Sequence, residues 1–135
     1  MIFGIGTDIL QLARIERVYA RYGDHFAERL LLDQEQDLFA RARNKIRFLG
    51  MRFAAKEAIA KALGTGFANG IWVRDVGSVP NALGQPQVIY SDRGAALCRR
   101  LGVGAGFLTL TDEAGLVVAV AVLLRESREA GAGSQ

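Results

Sequence analysis

Two carboxylates and two lysines are the residues of this sequence whose types and spacing suggest chemistry. Asp8 follows a short apolar segment that contains two glycines, and Glu57 and Lys61 lie four residues apart in a stretch with helical periodicity. Mg²⁺ commonly uses one or two carboxylates together with substrate phosphates and water. Asp8 and Glu57 therefore suggest a shared divalent cation, and Lys56 and Lys61 suggest cations that bind the same phosphates.

Each half of this constellation also has a simpler structural explanation. Asp8 can cap the helix that follows it, and Glu57 and Lys61 can form an ordinary ion pair along a helix. The first segment is not a dinucleotide-binding fingerprint, because Ile9 stands where a third glycine is required. The segment 64–66 lacks the Gly-Lys-Ser/Thr ending of a phosphate-binding P-loop. Only the two halves together predict metal-assisted phosphoryl chemistry.

The net charge of +3 hides a strongly basic segment. Residues 41–61 contain seven basic residues and one acid, a net charge of +6, while the rest of the chain has 10 basic and 13 acidic residues. Such a local excess indicates a polyanionic partner, which can be a nucleic acid, a phosphorylated cofactor or an acidic protein. A solvated helix face is the simpler explanation, although such faces usually mix both signs.

Size and composition exclude several classes of protein. The chain has 135 residues, of which 50% are hydrophobic and 23% charged, so we expect one domain with a substantial core. A single cysteine and a single histidine exclude an internal disulfide framework and a multi-cysteine zinc site. No apolar run approaches the roughly 20 residues that span a membrane, and the N-terminus does not resemble a signal peptide. The expected location is the cytoplasm, with no membrane partner.

Hydrophobic periodicity predicts the elements that must position these residues. Strands are predicted at 2–7, 71–76, 88–90, 107–111 and 116–124, with a turn at 80–86 and a glycine-rich loop at 102–106. Helical segments are predicted at 9–22, 26–32, 34–43, 46–63 and 93–101. Asp33 with Gln36 resembles a capping box, Asp92 a helix cap, and Gly64 the end of the longest helix. This order predicts a single α+β domain over residues 1–124, with a largely antiparallel sheet packed against helices and a solvated tail at 125–135.

The two motifs together resemble one family. The residues concerned are 3–9 (FGIGTDI), Arg14 and Ile15, and 47–66, which include RFAAKEA and KALGTG. They resemble the holo-acyl-carrier-protein synthases, the small bacterial class of 4′-phosphopantetheinyl transferases, and the resemblance runs in order from residue 1 to about residue 124. It implies an α+β fold, homotrimers with active sites between protomers, and transfer of the 4′-phosphopantetheine arm of coenzyme A to a serine of apo-acyl carrier protein. The other product is then adenosine 3′,5′-bisphosphate.

The resemblance also implies roles for individual residues. Asp8 and Glu57 match the carboxylates that bind Mg²⁺, and Lys61 matches a lysine that contacts the diphosphate. The expected acceptor of the serine proton is either Glu57 or a metal-bound water beside it. The basic segment suits the diphosphate and the 3′-phosphate of coenzyme A, and the candidates for binding the 3′-phosphate are Lys45, Arg47 and Arg52. Lys56 and Gly64 are further candidates for binding coenzyme A. The candidates for binding the acidic recognition helix of the carrier protein are Arg14, Arg21 and Arg29.

The sequence departs from the family pattern at residues 109–112, and two other functions compete with the one that the resemblance implies. Many relatives carry Ser-x-Ser-His where this chain has residues 109–112, which end in Asp112, so a phosphate contact from that histidine is not expected here. A nucleic-acid-binding module would explain the basic segment and would bind RNA or DNA with a steep salt dependence, but no RRM or KH motif is present. An inactive relative that only binds carrier protein is disfavoured by the joint presence of Asp8, Glu57 and Lys61.

Overall fold

A computed structural model describes residues 1–127 of the chain. The elements in chain order are β1 (Ile2–Gln11), α1 (Leu12–Tyr22), α2 (Asp24–Leu30), α3 (Asp33–Arg41), α4 (Lys45–Leu63), a 3₁₀ turn (Val73–Asp75), β2 (Val76–Pro80), β3 (Pro86–Tyr90), α5 (Asp92–Leu101), β4 (Val103–Glu113) and β5 (Leu116–Arg125). None of the described helices is long and apolar enough to cross a membrane. The predicted tail begins too early, because Arg125 still pairs with Val103 in the sheet. Residues 128–135 of that tail lie outside the described residues.

All strand pairs in the described part of the chain are antiparallel. β5 lies between β1 and β4 in a three-stranded sheet, and β2 and β3 form a separate two-stranded sheet. Helix α4 packs across the three-stranded sheet, mainly on β1 and β5. The predicted α+β fold, with a largely antiparallel sheet packed against helices, is confirmed.

Helix α4 is buried along most of its length because it lies across this sheet. Its smallest side chains allow the close approach, and the fully or almost fully buried ones are Ala54, Ala55, Ala58, Ala60 and Ala62. At its start, the side chain of Asn44 accepts a hydrogen bond of 3.0 Å from the backbone N–H of Arg47. At its end, Gly64 adopts the left-handed conformation with φ of 82°, which confirms the predicted cap.

Strand β1 approaches α4 so closely that only glycine fits at two of its positions. A Cβ atom on Gly4 would lie 1.9 Å from the carbonyl oxygen of Ala62, and one on Gly6 would lie 1.9 Å from that of Ala58. Side chains alternate along a strand, so Asp8 belongs to the same helix-facing set as the two glycines. The contact therefore brings Asp8 towards the part of α4 that carries the other candidate site residues.

The predicted boundary between the first strand and the first helix is wrong. Strand β1 does not end before Asp8, because its pairing with β5 continues to the pair Gln11 and Leu116. Helix α1 accordingly begins at Leu12 rather than at Ile9. Asp8 lies inside a strand and caps no helix, which removes the simpler explanation for this carboxylate.

Two strand predictions further along the chain are also wrong. The apolar residues 71–76 predict a strand, but the backbone N–H of Trp72 donates to the Asp75 carboxylate at 2.8 Å and the chain forms the 3₁₀ turn there. Strand β2 begins only at Val76. Residues 103–106, predicted as part of a loop, belong to β4, because a bulge between Val103 and Gly106 lets the glycines join the sheet.

Two helix caps differ from those predicted. The backbone N–H of Leu32 donates to the side chain of Glu35 at 3.0 Å at the start of α3, in place of the predicted pair Asp33 and Gln36. At the start of α5, Ser91 accepts from the backbone N–H of Gly94 at 3.1 Å, one residue before the predicted cap. Both caps are buried or part-buried, so the tertiary surroundings select them.

Replacing Gly6 by alanine tests the close contact of β1 with α4. The new methyl group would overlap the carbonyl oxygen of Ala58 unless the strand moved away from the helix. We expect the free energy of unfolding, measured by urea denaturation, to fall by about 1–3 kcal/mol. Gln11→Ala on the exposed side of the same strand should change it by less than about 0.5 kcal/mol. Unchanged stability of Gly6→Ala would contradict the packing described here.

Candidate active site

Asp8, Glu57 and Lys61 come together where β1 crosses α4. The Nζ atom of Lys61 donates a 3.0 Å hydrogen bond to the carbonyl oxygen of Thr7 and lies 3.5 Å from Oδ1 of Asp8. Glu57 precedes Lys61 by four residues on the same side of the helix. The Asp8 side chain is 15% exposed and that of Lys61 is 52% exposed. The carboxylate is therefore sheltered while the ammonium group opens to solvent.

The two carboxyl groups influence each other in a partly desolvated site. Burial raises the pKa of Asp8, against the opposing charges of Lys61 and Arg14. Burial also raises the pKa of Glu57, and the charge of Asp8 raises it further, whereas Lys61 and Arg14 lower it. A cation between the two groups would stabilise their charged forms.

This donor set fits Mg²⁺. Two carboxylates are the protein ligands that this ion commonly uses, and it completes its coordination with water and substrate phosphates. Within residues 1–127, no cluster of three or more His, Cys, Asp or Glu side chains forms a full metal cage. Asp8 and Glu57 are the residues that would hold the ion.

Arg14 lies beside the carboxylates. Its charge lowers the pKa of both Asp8 and Glu57, and its guanidinium carbon lies 5.8 Å from the centre of the Phe53 ring. The sequence places Arg14 on a surface shared with Arg21. The structure adds that this surface reaches the edge of the carboxylate pair.

An apolar groove between α1 and α2 continues this surface. It has a volume of about 360 Å³ and is lined by Val18, Tyr22, His25, Phe26 and Arg29. The guanidinium carbon of Arg21 lies 5.3 Å from the centre of the Tyr22 ring. The groove thus joins two of the predicted carrier-binding arginines to apolar side chains that the sequence analysis did not single out. In the sequence, the four-residue spacing of Val18 and Tyr22 indicates that these two apolar side chains share one face of a helix.

The prediction that Lys56 binds phosphate is wrong. Its side chain is fully buried, and its Nζ atom donates to Oε1 of Glu35 and to the carbonyl oxygen of Val76, each at 2.6 Å. Burial lowers the pKa of Lys56, and the charge of Glu35 opposes that shift. Lys56 therefore ties α4 to α3 and β2, and its ammonium group does not reach the site.

Arg52 belongs to the same buried cluster. Its Nε atom lies 3.5 Å from Oε2 of Glu35, its side chain is 13% exposed, and its guanidinium carbon lies 4.3 Å from the centre of the Phe48 ring. Glu35 also accepts hydrogen bonds from the backbone N–H groups of Leu32 and Ser78. Nothing in the local sequence singled out Glu35 among the acids of α3, because its partners come from distant segments.

A basic cavity lies at the start of α4. It has a volume of about 330 Å³ and is lined by Ala42, Arg43, Asn44, Arg47, Phe48, Met51 and Arg52. It brings together two predicted phosphate ligands, Arg47 and Arg52, and adds Arg43 to them. Lys45 does not line it, because its ammonium donates to the carbonyl oxygen of Phe39. Gly64 is exposed three residues after Lys61, and its contact with coenzyme A stays a prediction.

The carboxylate site and the basic cavity lie at opposite edges of the three-stranded sheet. Asp8 is on the edge strand β1, and Arg47 is bonded to Asp112 on the other edge strand, β4. About 15 Å of helix axis separates Arg47 from Glu57. Another cavity, of about 780 Å³ between α2, the 3₁₀ turn and α5, is lined by none of these residues.

Comparison with known proteins identifies the family. The 4′-phosphopantetheinyl transferase superfamily matches residues 4–121. A holo-[acyl-carrier-protein] synthase from Vibrio cholerae serotype O1 (strain M66-2) is 42% identical over 125 residues, which cover 93% of this chain and 99% of that protein. The crystal structure of holo-[acyl-carrier-protein] synthase from Neisseria meningitidis superposes with a TM-score of 0.88 at 38% identity, over 93% of this chain and 100% of that one.

A structure with a bound ligand is also similar. The holo-(acyl-carrier-protein) synthase from Bacillus anthracis str. Ames, in complex with CoA (3′,5′-ADP), superposes with a TM-score of 0.76 at 32% identity, over 94% of this chain and 99% of that one. The chain belongs to the 4′-phosphopantetheinyl transferase superfamily, in the group of the holo-[acyl-carrier-protein] synthases.

The contrast between Lys56 and Lys61 can be tested by replacing each with alanine. Lys56→Ala leaves the Glu35 carboxylate buried without its closest cation, so we expect the free energy of unfolding to fall by about 3–5 kcal/mol. Lys61→Ala removes a half-exposed side chain and should lower it by less than about 1 kcal/mol. Chemical denaturation of both variants measures the difference. Similar losses for the two variants would contradict a purely structural role for Lys56.

Proposed function

We propose that the protein transfers the 4′-phosphopantetheine arm of coenzyme A to a serine hydroxyl of apo-acyl carrier protein, with Mg²⁺ held by Asp8 and Glu57. The observation that carries this proposal is the cluster of Asp8, Glu57 and Lys61 at the crossing of β1 and α4. Family membership supports the reaction, and the similar Bacillus anthracis protein forms a complex with CoA (3′,5′-ADP).

The reaction exchanges one bond to phosphorus for another. The serine oxygen forms a bond to the phosphorus that carries the pantetheine arm, and the bond from that phosphorus to the bridging diphosphate oxygen breaks. Adenosine 3′,5′-bisphosphate leaves. Such transfer depends mainly on positioning and on neutralising charge. When bound, the metal ion polarises the diphosphate and offsets the charge on the leaving phosphate.

The protein's own side chains supply the remaining functions. The exposed ammonium of Lys61 binds the diphosphate beside Asp8. Glu57 accepts the serine proton, since its carboxylate lies beside Asp8 and Lys61 in the same site. A water molecule beside Glu57 is the alternative acceptor. Arg14 lies at the edge of the same site, where the carrier serine must enter.

The carrier protein docks on α1 and α2 in this proposal. Arg14, Arg21 and Arg29 offer positive charge to an acidic recognition helix, and the groove beside them offers an apolar surface. Charge complementarity of this kind mainly accelerates association and weakens with salt. Because Arg14 also adjoins the carboxylates, this surface directs the carrier towards the reacting atoms.

A homotrimer with active sites between protomers completes the proposal. The side of the sheet that faces away from α4 exposes Ile5, Ile9 and Phe107, with 58%, 66% and 56% of their surfaces accessible. Register places Ile5 and Phe107 on either side of Val122, so these side chains form one apolar face. Exposed apolar faces of this kind mark sites of association. If neighbouring edges of the sheets meet, the basic cavity of one copy approaches the carboxylates of the next.

The nucleic-acid-binding alternative is weakened by how the basic segment folds. Lys56 and Arg52 are bound to the buried Glu35, Lys45 to a backbone carbonyl and Arg47 to Asp112. Four of the seven cations of residues 41–61 are therefore engaged within the protein, which leaves less of the charge of this segment free for a nucleic acid. The cytoplasmic location stays a prediction from the sequence.

The reaction can be tested by intact-mass spectrometry of apo-acyl carrier protein incubated with coenzyme A and the protein. We expect the mass of one phosphopantetheine group to be added only when Mg²⁺ is present. Glu57→Gln should slow the transfer by about 100-fold or more, because the proton acceptor and a metal ligand are lost together. Asp37→Asn, a matched change on the exposed face of α3, should leave the rate unchanged. Transfer at the normal rate by Glu57→Gln would contradict the proposed site.

The trimer can be tested with a charge placed on the apolar face of the sheet. Wild-type protein should have the mass of three chains in light scattering. Phe107→Asp should dissociate it and abolish transfer, because each site needs two copies. Leu83→Asp is the matched control, since Leu83 is 94% exposed in the β2–β3 turn outside this face. A fully active monomer would contradict the proposed assembly.

A further inference from the structure

The pair between Arg47 and Asp112 links the start of α4 to the end of β4. Nε of Arg47 lies 2.9 Å from Oδ2 of Asp112, and Nη2 lies 2.9 Å from Oδ1. Two parallel bonds of this kind fix the plane of the guanidinium as well as its position. The side chains are 49% and 28% exposed, and pairs this accessible contribute little to stability. The main effect of the pair is therefore on the direction of Arg47.

Arg47 keeps donors for a ligand while it is held in this way. A guanidinium group has five N–H donors, and the bonds to Asp112 use two of them. The remaining three donors are the two N–H groups of Nη1 and the second N–H group of Nη2. Arg47 lines the basic cavity, so these donors are available to a ligand there. Among the described residues, its side chain has no hydrogen-bond acceptor besides Asp112.

The other arginines of the cavity are held differently. Arg52 is mostly buried between Glu35 and the Phe48 ring, so its guanidinium is engaged within the protein. Arg43 is exposed and has no ion pair within residues 1–127. Arg47 is thus the arginine of this cavity that combines a fixed direction with several unused donors.

The ligand that suits such a cavity is a phosphate monoester. Its lining offers guanidinium and amide donors, and the aromatic ring of Phe48 lies among them. Coenzyme A carries one phosphate monoester, on the 3′ position of its ribose, separate from the diphosphate at which transfer occurs. In the proposed assembly, the carboxylates of one copy and the basic cavity of the next would bind these two anionic parts separately.

We infer that Asp112 is a positioning residue for coenzyme A: it holds Arg47 so that the unused donors face the 3′-phosphate of the bound molecule. This inference rests on the proposed function, because it assumes coenzyme A as the ligand. A guanidinium that is oriented before binding loses less conformational entropy on binding. Asp112 does not donate to phosphate itself. It acts through a cation that it holds in place.

The test compares coenzyme A with 3′-dephospho-coenzyme A by isothermal titration calorimetry in the presence of Mg²⁺. Arg47→Ala should lower the affinity for coenzyme A about tenfold, which is the loss expected for one charge-assisted hydrogen-bonding group. Asp112→Asn should lower this affinity by about threefold, because the donors of Arg47 remain but their direction is lost. Neither variant should change the affinity for 3′-dephospho-coenzyme A. Light scattering and thermal melting show whether each variant keeps its assembly and fold.

A double variant separates positioning from a direct contact. In the Arg47→Ala background, Asp112→Asn should not lower the affinity for coenzyme A any further, because the arginine through which Asp112 acts is absent. In transfer assays, the KM for coenzyme A should rise in step with the dissociation constant while kcat changes little. Glu113→Gln is the matched control on the same strand and should bind both ligands as the wild type does.

The outcomes distinguish this inference from the proposed function. The positioning role is overturned if Asp112→Asn binds coenzyme A as tightly as the wild type does. It is also overturned if the affinity of this variant for both ligands falls equally. If the wild type binds coenzyme A but transfers nothing to a competent carrier, the proposed function fails and the binding comparison still decides the role of Asp112. If the wild type binds neither ligand, both proposals are wrong.

Discussion

The close contact between β1 and α4 is the constraint on which the rest of the site depends. Gly4 and Gly6 carry no side chain, so the strand lies against the carbonyl groups of Ala58 and Ala62. Asp8 is the next residue of the same strand face, and this brings it to the face of α4 where Lys61 lies 3.5 Å away. Any side chain on either glycine would separate the two elements, and the carboxylate pair would be lost together with the packing.

The basic residues of α4 show how one helix can serve several purposes. Lys56 faces the interior, and burial against Glu35 makes its charge part of the packing. Arg47 faces the sheet edge, and the surface pair with Asp112 orients it without contributing much stability. Lys61 faces the carboxylates and keeps an exposed ammonium. Their places around the helix, and the charges that meet them there, determine these differences, although all three belong to one basic segment of the sequence.

Arg14 connects the carboxylate site to the surface that we propose for carrier binding. This surface begins with Arg14 beside Asp8 and Glu57, and Arg21 and the groove between α1 and α2 extend it. The basic cavity lies at the other edge of the sheet. A single chain therefore holds the reacting part of the proposed site and, at a distance, the basic cavity that we propose to bind phosphate. The apolar outer face of the sheet, where Ile9 and Phe107 are exposed, is the surface through which the proposed trimer would join these parts between copies.

The sequence by itself determined the fold class, the limits of the longest helix within a residue, and the candidate trio of Asp8, Glu57 and Lys61. These features depend on local periodicity, on a glycine cap and on motifs that are contiguous in the chain. The tertiary structure decided the length of β1, the caps at Leu32 and Ser91, and the burial of Lys56. It also decided the partner of Arg47, because Asp112 lies 65 residues away along the chain. Pairing across a sheet and burial of a charge depend on which distant segments meet, and local patterns in a sequence do not contain that information.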